Sequence, residues 1–155
     1  MSHAVPRVPQ RQRGISLIEV LVSVLVLGIG LLGIGAMQAY ALRGGQSSLE
    51  SSQAVMLTNQ IIEAMRLNRA NAADYNGTWA APPAGGTLAQ HDLNEWVAAM
   101  RGVANWQGYT PPQPALEANA RGIIAGCPAA CTVTIEWNDQ RAGGGTRQLL
   151  TEAEL

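Results

Sequence analysis

The chain has 155 residues, ten arginines, no lysine and eleven acidic residues, giving a formal net charge of −1. That length holds one modest globular domain, and the balance lacks the clustered Lys/Arg of a nucleic-acid binder, so no nucleic acid is expected as a partner. Nothing pairs a nucleophile with a base and an orienting acid, so the reading is of a protein that is not an enzyme.

Residues 1–14 carry Arg7, Arg11 and Arg13 and no acid. From Ile15 to Met37 runs "ISLIEVLVSVLVLGIGLLGIGAM", whose only charge is Glu19. About twenty apolar residues rising 1.5 Å each cross a bilayer core. The run is longer than the apolar part of a secretory signal, and "MQAYALRGG" continues it in a helix-compatible way. A membrane-spanning helix is therefore predicted over residues 15–41. The basic flank places residues 1–14 in the cytoplasm and the remainder on the far side. "GIGLLG" (28–33) matches a dinucleotide fingerprint literally, but no strand precedes it and no cofactor is expected. Its glycines suit close helix packing or local unwinding instead.

Residues 42–70 keep a helical rhythm, with Leu57, Ile61 and Met65 at i, i+4, i+8 beside Ala54, Thr58 and Ile62. One long helix is expected, apolar all round in its first half and amphipathic in its second. A bend is possible at Gly44-Gly45. The exit, "RANAADYNGTWAAPPAGG", reads as a loop. A second helix is predicted over 88–101, opened by a capping box of Thr87 and Gln90 and stopped by Gly102. His91 on that helix reads as a surface residue. Residues 107–126, with Pro111, Pro112 and Pro114, read as irregular. "TVTIEW" (132–137) alternates as a half-buried strand, "NDQRAGGG" is a turn, and "TRQLLT" (146–151) is the returning strand. The class is α+β.

Cys127 and Cys131 are the only cysteines. Export to an oxidising compartment favours a disulfide between them. A metal site is not expected, since zinc wants four donors and the only histidines are His3 and His91.

Glu19 is the anomaly, because a carboxylate in membrane hydrocarbon costs about 2.5–3.5 kcal/mol at the bilayer centre. "RGISLIE" resembles the processing site of type IV prepilins, whose short basic leader ends in glycine. The resemblance implies cleavage between Gly14 and Ile15 by a prepilin peptidase, and N-methylation of Ile15. It matches Glu19 to the fifth residue of the mature chain, a carboxylate that pairs with a neighbouring subunit's terminal amine. Ile15 and Ser16 stand where the family usually has phenylalanine and threonine. "QAVMLTNQIIEAMRLNRANAADYNG", "LNEWVAAMRG" and "TVTIEWNDQR" look like later parts of PilV-type minor pilins.

The resemblance implies a type IV pilin-like fold, a long N-terminal helix packed on a small antiparallel sheet domain. It divides the chain into a cleaved leader (1–14), a membrane and filament-core helix (15–41) and a periplasmic domain (42–155). It implies a structural minor subunit of a type IV pilus that helps prime assembly, in twitching motility and adhesion. Its partners would be other minor pilins, the major pilin, the peptidase/methyltransferase and the inner membrane. A minor pseudopilin of type II secretion is the nearest alternative. A single-pass membrane receptor or adhesin with a periplasmic domain is the more distant one.

Overall fold

The computed structural model describes residues 14–112, 115–139 and 144–155. The leader's Arg7, Arg11 and Arg13, together with His3, Pro114 and residues 140–143 of the expected turn, lie outside the described residues. The first helix, α1 (Leu17–Leu67), is 51 residues long and is helical through Gly44 and Gly45. The chain divides into two units, one ending at Tyr40 and one spanning Ala41–Leu155.

In the first unit every residue from Gly14 to Tyr40 is exposed. A run so apolar and so bare of protein contacts is long and apolar enough to cross a membrane, and a helix satisfies all its own backbone polar groups there.

In the second unit α1 is amphipathic. Ser47, Glu50, Ala54, Leu57, Thr58, Ile61, Ile62 and Met65 are buried along one stripe, at the three- and four-residue steps of a helix face. The stripe thus extends two polar positions further up the helix than its apolar members suggest. α1 ends three residues earlier than the expected 70, and the exit is not simply a loop. A short 3-10 segment, Arg69–Tyr75, breaks the helical geometry at Asn71 and is followed by a strand, β1 (Gly77–Trp79).

The second helix, α2 (Leu88–Arg101), has the predicted ends. Thr87 Oγ1 accepts from the Gln90 amide at 3.3 Å and Gln90 Oε1 accepts from the Thr87 amide at 3.2 Å. Gly102 closes the helix in the left-handed conformation, with φ 65°, where a Cβ would be strained. The amides of Ala115 and Leu116 then donate to the Ala99 and Met100 carbonyls, at 3.1 and 3.0 Å. These occupy two carbonyls that the helix end would otherwise leave bare.

The remaining strands are β2 (Arg121–Ala125), β3 (Cys131–Asn138) and β4 (Thr146–Ala153). All four form one antiparallel sheet in the order β1-β2-β3-β4. β3 alternates as expected. Cys131, Val133, Ile135 and Trp137 are buried, and opposite them Ala153, Thr151, Leu149 and Arg147 share that face. Two expectations need correction, since residues 77–79 and 121–125 are strands rather than loop. β2 is only five residues long and holds Gly122, which normally weakens a strand. Here Gly122 admits the Trp96 indole, since a Cβ at that position would lie 2.1 Å from the ring. Trp96 is fully buried, and its indole N–H donates to the Leu57 carbonyl at 2.9 Å. One side chain thereby joins α1, α2 and the sheet.

Tyr75 anchors the other end of this core. It is fully buried, donates to the Asp92 carboxylate and accepts from Asn68 Nδ2 at 3.2 Å. Burial and the Asp92 hydrogen bond push its phenol well above the ordinary tyrosine value. The folded state therefore keeps its proton where the unfolded chain loses it, from about pH 10 upward. The stability Tyr75 confers is complete below that pH and is lost as pH rises towards the folded value. The expected result is a stability gap between wild type and Tyr75→Phe that is level up to about pH 10 and shrinks above it. Urea unfolding at stepped pH reads this directly, and a gap that stays level to about pH 11 would contradict it.

Candidate functional site

Gly14, Ile15 and Ser16 precede α1 in non-helical chain. A methyl group placed on Gly14 would meet nothing within 4 Å, and Ile15 is 76% exposed. Ser16 starts the helix, its carbonyl accepting from the Glu19 and Val20 amides at 3.0 and 3.3 Å. The Gly14–Ile15 peptide therefore lies just outside the first helical hydrogen bond, where a protease can reach it without unwinding a turn. Glu19 sits in the first turn, where an acid is favoured by the helix dipole. Its own carbonyl accepts from Ser23 Oγ at 2.7 Å. Among the described residues its carboxylate has no ion-pair partner. The Gly14–Ile15 peptide and Glu19 thus lie within six residues of one another at the exposed start of α1.

Further along, a Cβ added at Gly28, Gly30, Gly33 or Gly35 would meet nothing within 4 Å. Among the described residues no contact demands those glycines. Among the described residues no group of three or more His, Cys, Asp or Glu could hold a metal ion.

The cysteines lie in the second unit. Cys127 and Cys131 form a disulfide across a Cα separation of 4.4 Å. The loop that carries it is clamped by Asn76, whose Nδ2 donates to the Cys127 carbonyl at 3.0 Å and whose Oδ1 accepts from the Cys127 amide at 3.1 Å. This two-way bond continues the β1–β2 pairing past Gly77 and Ile124. Gly126 turns the chain into the loop at φ 78°, with the Ala130 carbonyl oxygen 2.3 Å from where a Cβ would stand. Cys127 Sγ touches Met65 Sδ at 3.8 Å, which sets the disulfide against α1.

Two features carry no local signal in the sequence. Asp139 falls in the stretch expected to be a turn, yet it is buried and accepts from Ser47 Oγ at 2.8 Å while pairing with Arg147 Nε at 2.6 Å. It therefore fastens the β3–β4 end of the sheet to α1. Ser47 and Asp139 are 92 residues apart, so no short pattern could announce them. His91 is half-buried rather than a plain surface residue. Its ring meets Trp106 edge-on at 4.6 Å between centroids, and Gly85 leaves it room, since a Cβ there would lie 2.8 Å from the ring.

Residues 9–35 match the protein-family model described as the prokaryotic N-terminal methylation motif. The chain carries that methylation motif. The match covers Gly14, Ile15 and Glu19 and most of the exposed apolar run. It supports a pilin-like chain handled by a prepilin peptidase, with membrane anchoring and assembly beside other pilins. No curated protein and no solved structure matches the chain.

Proposed function

We propose that the chain is a minor subunit of a type IV pilus, of the PilV-like kind, that helps prime filament assembly in twitching motility and adhesion. Residues 1–14 are the leader, removed at Gly14. Residues 15–41 hold the chain in the inner membrane and later form its share of the filament core. Residues 42–155 stand in the periplasm and then on the extracellular filament. The observation that carries this reading is the methylation motif at residues 9–35, laid on an exposed helix with Glu19 in its first turn and, among the described residues, in no ion pair.

An acid with no ion-pair partner among the described residues is expensive in hydrocarbon, and the cost is recovered when a neighbouring subunit supplies a cation at the same depth. Cleavage after Gly14 creates such a cation, the ammonium of Ile15. Within a bundle of like helices, one subunit's Ile15 amine meets another's Glu19. The lateral partners are other minor pilins and the major pilin, through this helix.

The expected result is that filaments sheared from cells contain the chain, and that Gly14→Val removes it from them while leaving uncleaved protein in the membrane. A filament fraction that lacks the wild-type chain, from cells that contain it in their membranes, would overturn the proposal.

A further inference from the structure

Asn76 and Gly77 are the chain's only Asn-Gly pair. They join the 3-10 segment to β1, and Asn76 is exposed to solvent. That dipeptide has a chemistry of its own. The backbone nitrogen that follows an asparagine can attack the side-chain Cγ, and the bulk of the next side chain is what hinders it. Glycine has no side chain and moves freely. An N–Cγ bond forms, the Cγ–Nδ2 bond breaks, and ammonia departs with the proton that the Gly77 nitrogen gives up. Water then opens the resulting succinimide at either carbonyl, its hydroxyl going to that carbon and its hydrogen to the nitrogen. The products are an aspartate, or an isoaspartate whose main chain runs through Cγ.

The fold holds this reaction off in two ways. Three hydrogen bonds fix the carboxamide. Its Nδ2 donates to the Cys127 carbonyl at 3.0 Å and to the Ala73 carbonyl at 3.1 Å, and its Oδ1 accepts from the Cys127 amide at 3.1 Å. Swinging Cγ onto the Gly77 nitrogen breaks them. The backbone is also turned the wrong way, since Asn76 has an extended ψ of 131° that points the Gly77 nitrogen away from the side chain. The first restraint depends on where Cys127 stands. Its disulfide ties it to Cys131, a β3 residue held in register with Ala153. Opening that bond removes the covalent tie between Cys127 and the sheet's third strand, and leaves the Asn76 clamp resting on a short turn at Gly126.

We propose that Asn76 is a site of spontaneous deamidation, shielded while the Cys127–Cys131 disulfide is closed and released when it is open. The change cannot be undone by closing the disulfide afterwards. A carboxylate has no N–H to give the Cys127 and Ala73 carbonyls, so two of the three bonds are lost and one oxygen faces a carbonyl oxygen instead. A chain that stays reduced is therefore marked permanently at the entrance to β1. The site makes no use of Glu19 or the leader and does not depend on the filament role.

The test incubates the full chain in detergent micelles at mildly alkaline pH in three states: disulfide intact, reduced with a phosphine, and unfolded in urea. Conversion is read as the mass gain and isoaspartate content of the peptide that carries Asn76, and far-ultraviolet circular dichroism follows the helices at the same time points. Asn119, exposed and followed by alanine, is the internal reference. Reduction should speed conversion of Asn76 at least about tenfold, the factor that the loss of one or two hydrogen bonds allows, with the helix signal retained. In urea Asn76 should convert fastest, and well ahead of Asn119. Equal rates with the disulfide open and closed would overturn the shielding, and conversion in urea no faster than that of Asn119 would overturn the site. Release that comes only with loss of the helix signal would assign it to general unfolding and overturn the role given to the disulfide.

Discussion

Replacing Glu19 by alanine should lower the amount of the chain in filaments by about two to three orders of magnitude while leaving its membrane level and its cleavage unchanged. The carboxylate is exposed on an apolar helix and has no ion-pair partner among the described residues. Breaking a buried ion pair by removing one partner costs about 3–5 kcal/mol, and about 1.4 kcal/mol is a decade in an equilibrium constant. If Glu19 served only as an interfacial residue, its removal would relieve a desolvation cost and insertion would be neutral or improved. The ratio of filament to membrane protein separates the two outcomes. An unchanged ratio would mean that the carboxylate does not govern assembly. Glu19→Gln, which keeps the shape and removes the charge, should fail as alanine does.

The second large effect is structural and lies in the other unit. Gly122→Ala should destabilise it by about 1–3 kcal/mol, the range for forcing an extra methyl group into a packed core. The added carbon would sit 2.1 Å from the Trp96 ring, which is fully buried and tied to the Leu57 carbonyl, so neither side can yield cheaply. Trp96→Ala should cost about 3–5 kcal/mol through the cavity it leaves. Combining Gly122→Ala with Trp96→Leu should cost less than the two separate changes added together, because the smaller side chain makes room for the methyl group. Thermal unfolding of the full chain in detergent, read by tryptophan fluorescence, measures all of these. A Gly122→Ala variant within about 0.5 kcal/mol of wild type would show that the glycine is not the seat of the indole.

The parts legible in the sequence are those with a strong local signal. The ends of α2 follow from Thr87, Gln90 and Gly102, because capping is a matter of a few adjacent residues. The buried face of α1 follows from the spacing of Leu57, Ile61 and Met65, and β3 from its strict alternation. β1 and β2 are not legible, being three and five residues long, and β2 holds a glycine whose purpose is set by Trp96 on another element. Gly122 looks like a strand breaker until Trp96 is placed over it. Asp139 looks like a turn residue until Ser47 and Arg147 reach it. At the N-terminus the signal is compact, since Gly14, Ile15 and Glu19 lie close together in sequence and the methylation motif spans all three.

The most direct measurement is the N-terminal sequence and mass of the chain recovered from membranes of cells that contain the prepilin peptidase. The expected result is a chain that begins at Ile15 with a methylated amine, and a chain that still begins at Met1 when the peptidase is deleted or Gly14 is replaced by valine. An intact Met1 terminus in peptidase-containing cells would contradict the filament reading.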